Sequence, residues 1–147
     1  RERYVAAGPT ERSAILNEII RLEPVVGHLY RRVQASLELV EGDTTWALAA
    51  GDLVDICVRP ANADPDAVGE RPLDLCPGRS LPAGVNPAAL SFGDGAHRCP
   101  GQPLAMLEAD ALLTRLLARD PTIVAEPTIE WDDLIAGYSL RGLELRI

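Results

Sequence analysis

The stretch Phe92-Gly-Asp-Gly-Ala-His-Arg-Cys-Pro-Gly101 decides how this chain is interpreted. Gly93 and Gly95 stand on either side of one aspartate, which predicts positive φ angles and a backbone that approaches a flat neighbour closely. The one cysteine of the stretch, Cys99, follows in the same loop. A thiolate is a soft and strongly donating ligand for iron. The stretch therefore predicts a cysteine that a glycine-rich loop presents to a metal.

The segment after this loop has the periodicity of a helix over 100–119. Its apolar residues recur at steps of three and four: Leu104, Leu107, Ala111, Leu112 and Leu116. Pro100 and Pro103 suit a first turn, where a backbone N–H is not needed. Cys99 is therefore expected at the N-terminus of the helix, where the helix dipole and free amides stabilise an anion. His97 is expected to donate a hydrogen bond to an acidic group at the edge of the loop.

A second motif, Glu18-x-x-Arg21, lies upstream on a helix that the sequence predicts over 11–23. Residues three apart share one face of a helix, so the two side chains are expected to be neighbours. Thr10 is the expected N-cap. Pro24 ends the helix because the residue before a proline is pushed out of the helical conformation. On its own the motif is also consistent with a solvated surface pair.

Together these motifs resemble those of the cytochrome P-450 family of haem-thiolate monooxygenases, in its bacterial soluble type. The resemblance extends from Glu18 to the C-terminus. It implies haem b as the cofactor, with Cys99 as the thiolate ligand of the iron and His97 as a contact of a haem propionate. The loop around the thiolate would be shaped by Phe92, Gly93, Gly95 and Gly101.

The resemblance also implies two roles for arginines. In the family, the Glu-x-x-Arg pair is buried with a second arginine from an irregular segment, and the matching stretch here is 62–72. Arg71 is the preferred third member, with Arg79 as its rival. A further arginine of the family pairs with a haem propionate, for which a bidentate guanidinium is suited. Arg32 is preferred for that role over Arg31.

The fold that the resemblance implies is mainly α with small β-sheets, and α+β in this piece. It is the C-terminal, proximal-haem portion of the family's fold, without the distal helices, and 1–147 would be one part of a haem-thiolate monooxygenase domain. The expected order is the helix 11–23, a β-rich segment 33–59, a meander 60–91, the Cys loop 92–101, the long helix 100–119, and β hairpins over 121–147. Strands are expected near 36–40, 45–49, 53–58, 122–125, 128–131 and 142–147.

No segment resembles the long distal helix that delivers protons to oxygen in the family, so no catalytic residue is assigned. The chain is interpreted either as a piece of a longer protein or as a naturally short relative. In both cases we expect the isolated chain to be a poor or inactive catalyst that is either partly unfolded or held together by self-association through exposed core residues. Candidates for substrate contact are Val25, Val26, Leu29, Ile135, Ala136 and Tyr138.

Charge and composition limit the classes of partner and the cellular location that are expected for this chain. The formal net charge of −8 disfavours nucleic acid and anionic membranes. No apolar run approaches the roughly 20 residues of a membrane span, and nothing resembles a signal peptide, so a cytoplasmic location is expected. Three cysteines without paired spacing make a disulfide framework unexpected.

The resemblance implies a monooxygenase that inserts oxygen into a small organic substrate. Electrons would come from a ferredoxin or a flavin reductase with NAD(P)H behind it. Two alternatives remain open at this point. One is a haem-free remnant of the family that acts as a binding or scaffold partner. The other is a zinc site formed by Cys57, Cys76, Cys99 and His97, although no C-x-x-C spacing supports it.

Overall fold

The structure, a computed structural model, describes residues 1–147 and contains five α-helices, eight β-strands and a short 3₁₀ turn. The helices are α1 (Glu2–Ala6), α2 (Pro9–Leu22), α3 (Val58–Ala61), α4 (Pro65–Val68) and α5 (Gln102–Leu117). The strands are β1 (His28–Arg32), β2 (Leu37–Glu41), β3 (Thr44–Leu48), β4 (Leu53–Cys57), β5 (Thr122–Ala125), β6 (Thr128–Asp132), β7 (Gly137–Arg141) and β8 (Glu144–Arg146). The 3₁₀ turn covers Gly95–His97.

The strands form four separate antiparallel pairs, β1 with β4, β2 with β3, β5 with β8, and β6 with β7. β2 and β3 are joined by a tight turn in which Gly42 has a φ of 55°. Pairing of β1 with β4 is not local, because the β2–β3 hairpin lies between them in the chain. This combination of helices with small sheets agrees with the expected α+β class.

The packed core lies between α2 and α5. Tyr4, Ile15 and Leu16 are its buried members. Against them lie residues of one face of α5: Met106, Ala109, Leu113 and Leu117. This spacing of three and four residues is that of an amphipathic helix. Other apolar residues of α5 point away from the core, and Leu104, Leu107 and Leu112 are each more than half exposed.

The observed elements differ from the expected ones at several boundaries. α2 begins at Pro9, and Gly8 rather than Thr10 is its N-cap, because the proline occupies the first helical position. α5 begins at Gln102, so Cys99 lies in the loop just before the helix. α1, α3, α4 and β1 were not predicted, and β7 lies within the β hairpins expected over 121–147 although no separate strand was expected at its position. No helix in the chain combines the length and the apolar character that crossing a bilayer requires.

Candidate functional site

The loop that carries Cys99 folds back on itself. The backbone N–H of Cys99 donates to the carbonyl oxygen of Phe92 at 2.8 Å, and the N–H of Gly93 donates to that of Leu90 at 2.8 Å. Gly93 and Gly95 have φ angles of 69° and 64°, as the sequence predicted. Side chains rarely adopt this left-handed conformation, so the two glycines allow the reversal. The reversal brings the cysteine next to the start of its own loop.

The sulfur of Cys99 is free and exposed. It is not in a disulfide, and its Sγ makes no hydrogen bond within the chain. A methyl group added to Gly101 would lie 3.6 Å from this sulfur, so the glycine leaves the space beside it open. Phe92 and Gly101 therefore lie beside the cysteine, one through its backbone carbonyl and the other through the space that it leaves next to the sulfur.

The donor set at Cys99 fits haem. His97 is exposed in the same loop, and the thiol has no second protein ligand beside it. An iron that receives its equatorial ligands from a porphyrin requires one axial ligand from the protein. Cys99 can supply that ligand. The four residues of the zinc alternative, Cys57, Cys76, Cys99 and His97, do not come together in the structure, so that interpretation of the sequence is wrong.

A groove of about 440 Å³ opens beside the cysteine. Arg98, Cys99 and Gln102 form one wall, with residues from α2 and from the segment before the loop on the other side. Arg98 donates from Nη2 to the side-chain oxygen of Gln102 at 3.0 Å. The groove therefore carries a positive charge next to the thiol.

Glu18 and Arg21 form a buried ion pair on α2. Arg21 is fully buried and Glu18 is 3% exposed. The guanidinium donates from Nε to one carboxylate oxygen at 2.7 Å and from Nη2 to the other at 2.8 Å. Burial alone would raise the pKa of Glu18, but hydrogen bonds from Arg21, the Cys76 N–H and Arg79 hold it below its ordinary value. Glu18 and Arg21 are therefore a buried pair of the core, and the alternative of a solvated surface pair was wrong.

The third member of this cluster is Arg79, and the preference for Arg71 was wrong. Arg79 donates from Nε to Glu18 Oε1 at 3.0 Å, whereas the Arg71 side chain is 77% exposed and pairs with Asp74. The physical reason is the turn at Pro77-Gly78. Gly78 has a φ of 81°, and the Arg79 N–H donates to the Cys76 carbonyl at 3.0 Å, as in a type II turn.

That turn could have been found from the sequence. A proline followed by a glycine is the usual pair at the centre of a type II turn. The turn directs the Cys76 N–H and the Arg79 side chain towards the same oxygen, Glu18 Oε1, at 3.2 Å and 3.0 Å. Arg79 also donates to the carbonyl oxygens of Val68, Glu70, Arg71 and Asp74, which ties the irregular segment together.

Asn62 is a further buried residue that the sequence did not reveal. It is 1% exposed, and all the hydrogen bonds of its side chain are to groups in other segments. Nδ2 donates to the carbonyl of Arg21 and to Ser91 Oγ, both at 2.9 Å, and Oδ1 accepts from the Leu90 N–H at 2.8 Å. Asn62 therefore connects the end of α2 to the start of the Cys99 loop.

The two arginines of β1 lie on opposite faces of the β1–β4 pair, because successive side chains of a strand alternate. Both are exposed, and Arg32 donates from Nη1 to the carbonyl of Gly51 at 2.9 Å. Arg32 shares its face with His28 and Tyr30.

The six candidates for substrate contact belong to two segments that meet. The Gly27 N–H donates to the carbonyl of Ile135 at 3.0 Å, which joins the segment of Val25, Val26 and Leu29 to that of Ile135, Ala136 and Tyr138. A pocket of about 250 Å³ lies at the junction. Ala136 and Tyr138 line it together with His28, Cys57, Arg59 and Trp131.

Comparison with known proteins gives consistent results. The family model described as cytochrome P-450 matches residues 13–119. The chain is 36% identical to human steroid 21-hydroxylase over 105 residues, which is 71% of this chain and 20% of that protein. It is 34% identical to cytochrome P-450 144 of Mycobacterium tuberculosis over 149 aligned positions, 99% of this chain and 32% of that protein.

Solved structures give the same picture. The chain resembles CYP164A2 of Mycobacterium smegmatis, crystallised with econazole, with a TM-score of 0.74 and 30% identity over 97% of this chain and 33% of that one. CYP109E1 of Bacillus megaterium has a similar fold, with a TM-score of 0.78 at 24% identity over 99% of this chain and 35% of that one. The chain thus spans about a fifth to a third of the length of these relatives.

Proposed function

The chain belongs to the cytochrome P-450 family, and on that premise we propose that it holds haem b through Cys99 and takes part in oxygen insertion into a small organic substrate. The observation that carries the proposal is Cys99, which is exposed, has a free thiol, and is held by its backbone N–H to the carbonyl oxygen of Phe92 at 2.8 Å. A thiolate-ligated haem supplies oxygen activation when it is bound, because the thiolate favours O–O cleavage.

The residues of this chain would hold the cofactor and shield its ligand. Gly93 and Gly95 keep side chains out of the reversal of the loop, so that the backbone can lie close to the porphyrin. His97 and Arg32, both exposed, are proposed as partners of the haem propionates, because a carboxylate accepts charge-assisted hydrogen bonds from such groups. No residue of the chain is assigned to proton delivery, so no catalytic residue is proposed.

The buried cluster of Glu18, Arg21 and Arg79 is proposed as the support of this site. It fixes α2 against the irregular segment, and that segment leads directly into the Cys99 loop. Buried ion pairs contribute little net stability, but they are costly to break and can specify one arrangement of the chain. The cluster would thereby position the loop without touching the cofactor.

The partners follow from the family and belong to the proposal. A ferredoxin or a flavin reductase, supplied by NAD(P)H, would approach near Arg98 at the start of α5. The substrate would lie near the junction of Val25, Val26 and Leu29 with Ile135, Ala136 and Tyr138. A cytoplasmic location and self-association through exposed apolar residues remain predictions.

The test is the spectrum of the reduced protein with carbon monoxide. The purified chain is loaded with haem, reduced and exposed to carbon monoxide, and we expect the strongly red-shifted Soret band of a thiolate-ligated iron. Cys99→Ser should abolish that band. Cys57→Ser is the matched control, because Cys57 is also free and exposed, and it should keep the band.

Two results would contradict the proposal. A red-shifted band that persists in Cys99→Ser would mean that another residue supplies the ligand. A chain that binds no haem would favour the haem-free alternative. Oxidation of a test substrate with peroxide as the oxygen donor would show separately whether this chain alone supports turnover.

A further inference from the structure

A second group of metal-binding side chains lies away from the Cys99 loop, on the β1–β4 pair. It consists of His28, Asp55 and Cys57, whose ligand atoms all lie within 4.8 Å of one another. His28 Nδ1 is 2.8 Å and 2.7 Å from the two oxygens of Asp55 and 3.9 Å from Cys57 Sγ. No other group of three such residues comes together in the chain.

The strand register accounts for this convergence. His28 lies directly opposite Cys57, and Tyr30 lies opposite Asp55. Cys57 and Asp55 are two residues apart on β4, so their side chains leave the same face of the sheet. Side chains directly opposite each other on an antiparallel pair have Cβ atoms about 4.5–5.5 Å apart. The backbone itself therefore delivers one imidazole, one carboxylate and one thiol to the same point.

We propose that His28, Asp55 and Cys57 form a binding site for a divalent metal ion of the zinc type, with one coordination position open. Zinc is bound by these three ligand types, at 2.0–2.3 Å and in tetrahedral geometry. Tetrahedral ligands at such distances are about 3.3–3.8 Å apart, so the observed spacings require changes of only about 1 Å. Thiolate and carboxylate together neutralise the charge of the ion.

The ion can reach this site from solvent. The side chains of His28 and Asp55 are 28% and 39% exposed, and Cys57 is exposed as well. None of the three is committed to the core, so the ligands can shift by the small distances required without disturbing buried packing. Zinc would displace the hydrogen bond between His28 and Asp55 and the proton of the Cys57 thiol, because the ligands bind in deprotonated form.

The open position would face the pocket of about 250 Å³ that His28 and Cys57 share with Trp131 and Tyr138. Arg59 also lines this pocket, but its guanidinium is paired with Glu23 at 2.7 Å and lies 5.7 Å from the centre of the Tyr138 ring. Its positive charge is therefore compensated by Glu23. Three protein ligands with a fourth position open to a pocket leave room for water or a small ligand.

The test uses Co²⁺ and Zn²⁺ as probes on the full 147-residue chain without haem. Cobalt in place of zinc gives a near-ultraviolet charge-transfer band when a thiolate is a ligand. We expect one equivalent of Co²⁺ to produce this band, and Zn²⁺ to remove it by competition. The outcome is independent of the haem proposal, because no step of it involves Cys99.

Each cysteine is then replaced in turn by serine. We expect Cys57→Ser to lose the band, while Cys76→Ser and Cys99→Ser keep it. Asp55→Asn should weaken zinc binding by at least about tenfold, since even residues that only hydrogen-bond to a ligand affect affinity by 10- to 100-fold. A band that survives in Cys57→Ser, or that never forms in the parent chain, would overturn the proposal.

Alkylation of the thiols in the parent chain tests the same site without any substitution, so its result does not depend on whether a variant folds. Zn²⁺ should slow alkylation of Cys57 by iodoacetamide, as read by mass spectrometry of its peptide, and leave Cys76 and Cys99 unaffected. Equal protection of all three thiols, or none at Cys57, would contradict the site.

Discussion

Glu18 Oε1 lies 3.0 Å from Nε of Arg79, although 61 residues of chain separate the two. The same oxygen accepts hydrogen bonds from Arg21 at 2.8 Å and from the backbone N–H of Cys76 at 3.2 Å. One carboxylate therefore holds α2, the turn at Pro77-Gly78 and the irregular segment together. Only 13 of 147 residues are buried, and Glu18 is one of them. Its charge is tolerated there because these three donors compensate it.

Replacing Arg79 tests this arrangement. We expect Arg79→Ala to lower the free energy of unfolding by about 3 kcal/mol, the lower end for breaking a buried ion pair, because Arg21 still pairs with Glu18. Arg71→Ala is the matched control, and it should change stability by less than about 0.5 kcal/mol because its side chain is 77% exposed. The measurement is the midpoint of urea unfolding. A larger loss for Arg71→Ala would restore Arg71 as the third member.

The environment of Asp110 makes the free energy of unfolding depend on pH. It accepts hydrogen bonds from Arg12 Nε at 2.6 Å and from the Tyr4 hydroxyl at 2.8 Å. These bonds, Arg12 first, lower the pKa of Asp110 below its ordinary value of 3.8, although burial opposes them. A pKa that folding lowers adds stability above the unfolded value, and that stability is lost as pH falls through the folded value.

We therefore expect the free energy of unfolding to fall as the pH drops from about 5 to about 3, because the Asp110 carboxylate of the unfolded chain takes up a proton at a higher pH than that of the native chain. Asp110→Asn should be less stable at neutral pH and should show a flatter acid limb. Asp43→Asn is the control, since Asp43 is exposed in the turn between β2 and β3. Thermal unfolding as a function of pH measures the difference, and parallel curves for parent and Asp110→Asn would contradict the assignment.

The hydroxyl of Tyr4 provides a second test of the hydrogen-bonded group formed by Tyr4, Arg12 and Asp110. Burial, and then its hydrogen bond to Asp110, raise the pKa of Tyr4 to about 12. We expect Tyr4→Phe to cost about 1.5–3 kcal/mol, because the lost hydrogen bond has a charged partner. It should also remove one late-ionising tyrosine from an ultraviolet titration. Tyr30→Phe, on a residue that is 53% exposed, should do neither.

Gly27 marks a close approach of two backbones. A methyl group added there would overlap the carbonyl oxygen of Ala136, and the Gly27 N–H already donates to Ile135 at 3.0 Å. We expect Gly27→Ala to cost about 1–3 kcal/mol through overpacking. Gly101→Ala is the control, since its added methyl would meet Cys99 Sγ at an ordinary 3.6 Å. Equal melting temperatures for the two variants would mean that the junction yields without strain.

Features that depend on residues close in sequence could be predicted, whereas features that depend on distant segments could not. The conformations of Gly93 and Gly95, and the shared face of Glu18 and Arg21, follow from steps of a few residues, and they agree with the structure. β1 was missed because its partner is β4, beyond a whole hairpin, and no local pattern records such a pairing. The choice of Arg71 over Arg79 failed because proximity to Glu18 depends on a turn that reverses the chain.

The burial of Asn62 is the feature that was hardest to predict from local sequence, and its role can be tested by mutation. Asparagine in an irregular segment is ordinary in sequence, yet here both its amide nitrogen and its oxygen are used inside the core, which leaves it 1% exposed. Asn62→Asp keeps the shape, but turns the donor to the Arg21 carbonyl into an acceptor and buries a charge. We expect a loss of at least about 3 kcal/mol, more than for a neutral lost hydrogen bond.

The comparison is Asn17→Asp, where the amide bonds only within its own helix, to the Ser13 carbonyl at 2.9 Å. That change should cost far less. Because Asn62 Oδ1 accepts from the Leu90 N–H, Asn62→Ala should also speed hydrogen exchange at Leu90, at the start of the Cys99 loop. Unchanged exchange at Leu90 would mean that other contacts hold the loop, and the link from α2 to Cys99 would then have to run through Ser91, whose hydroxyl donates to the Ile20 carbonyl at 2.8 Å.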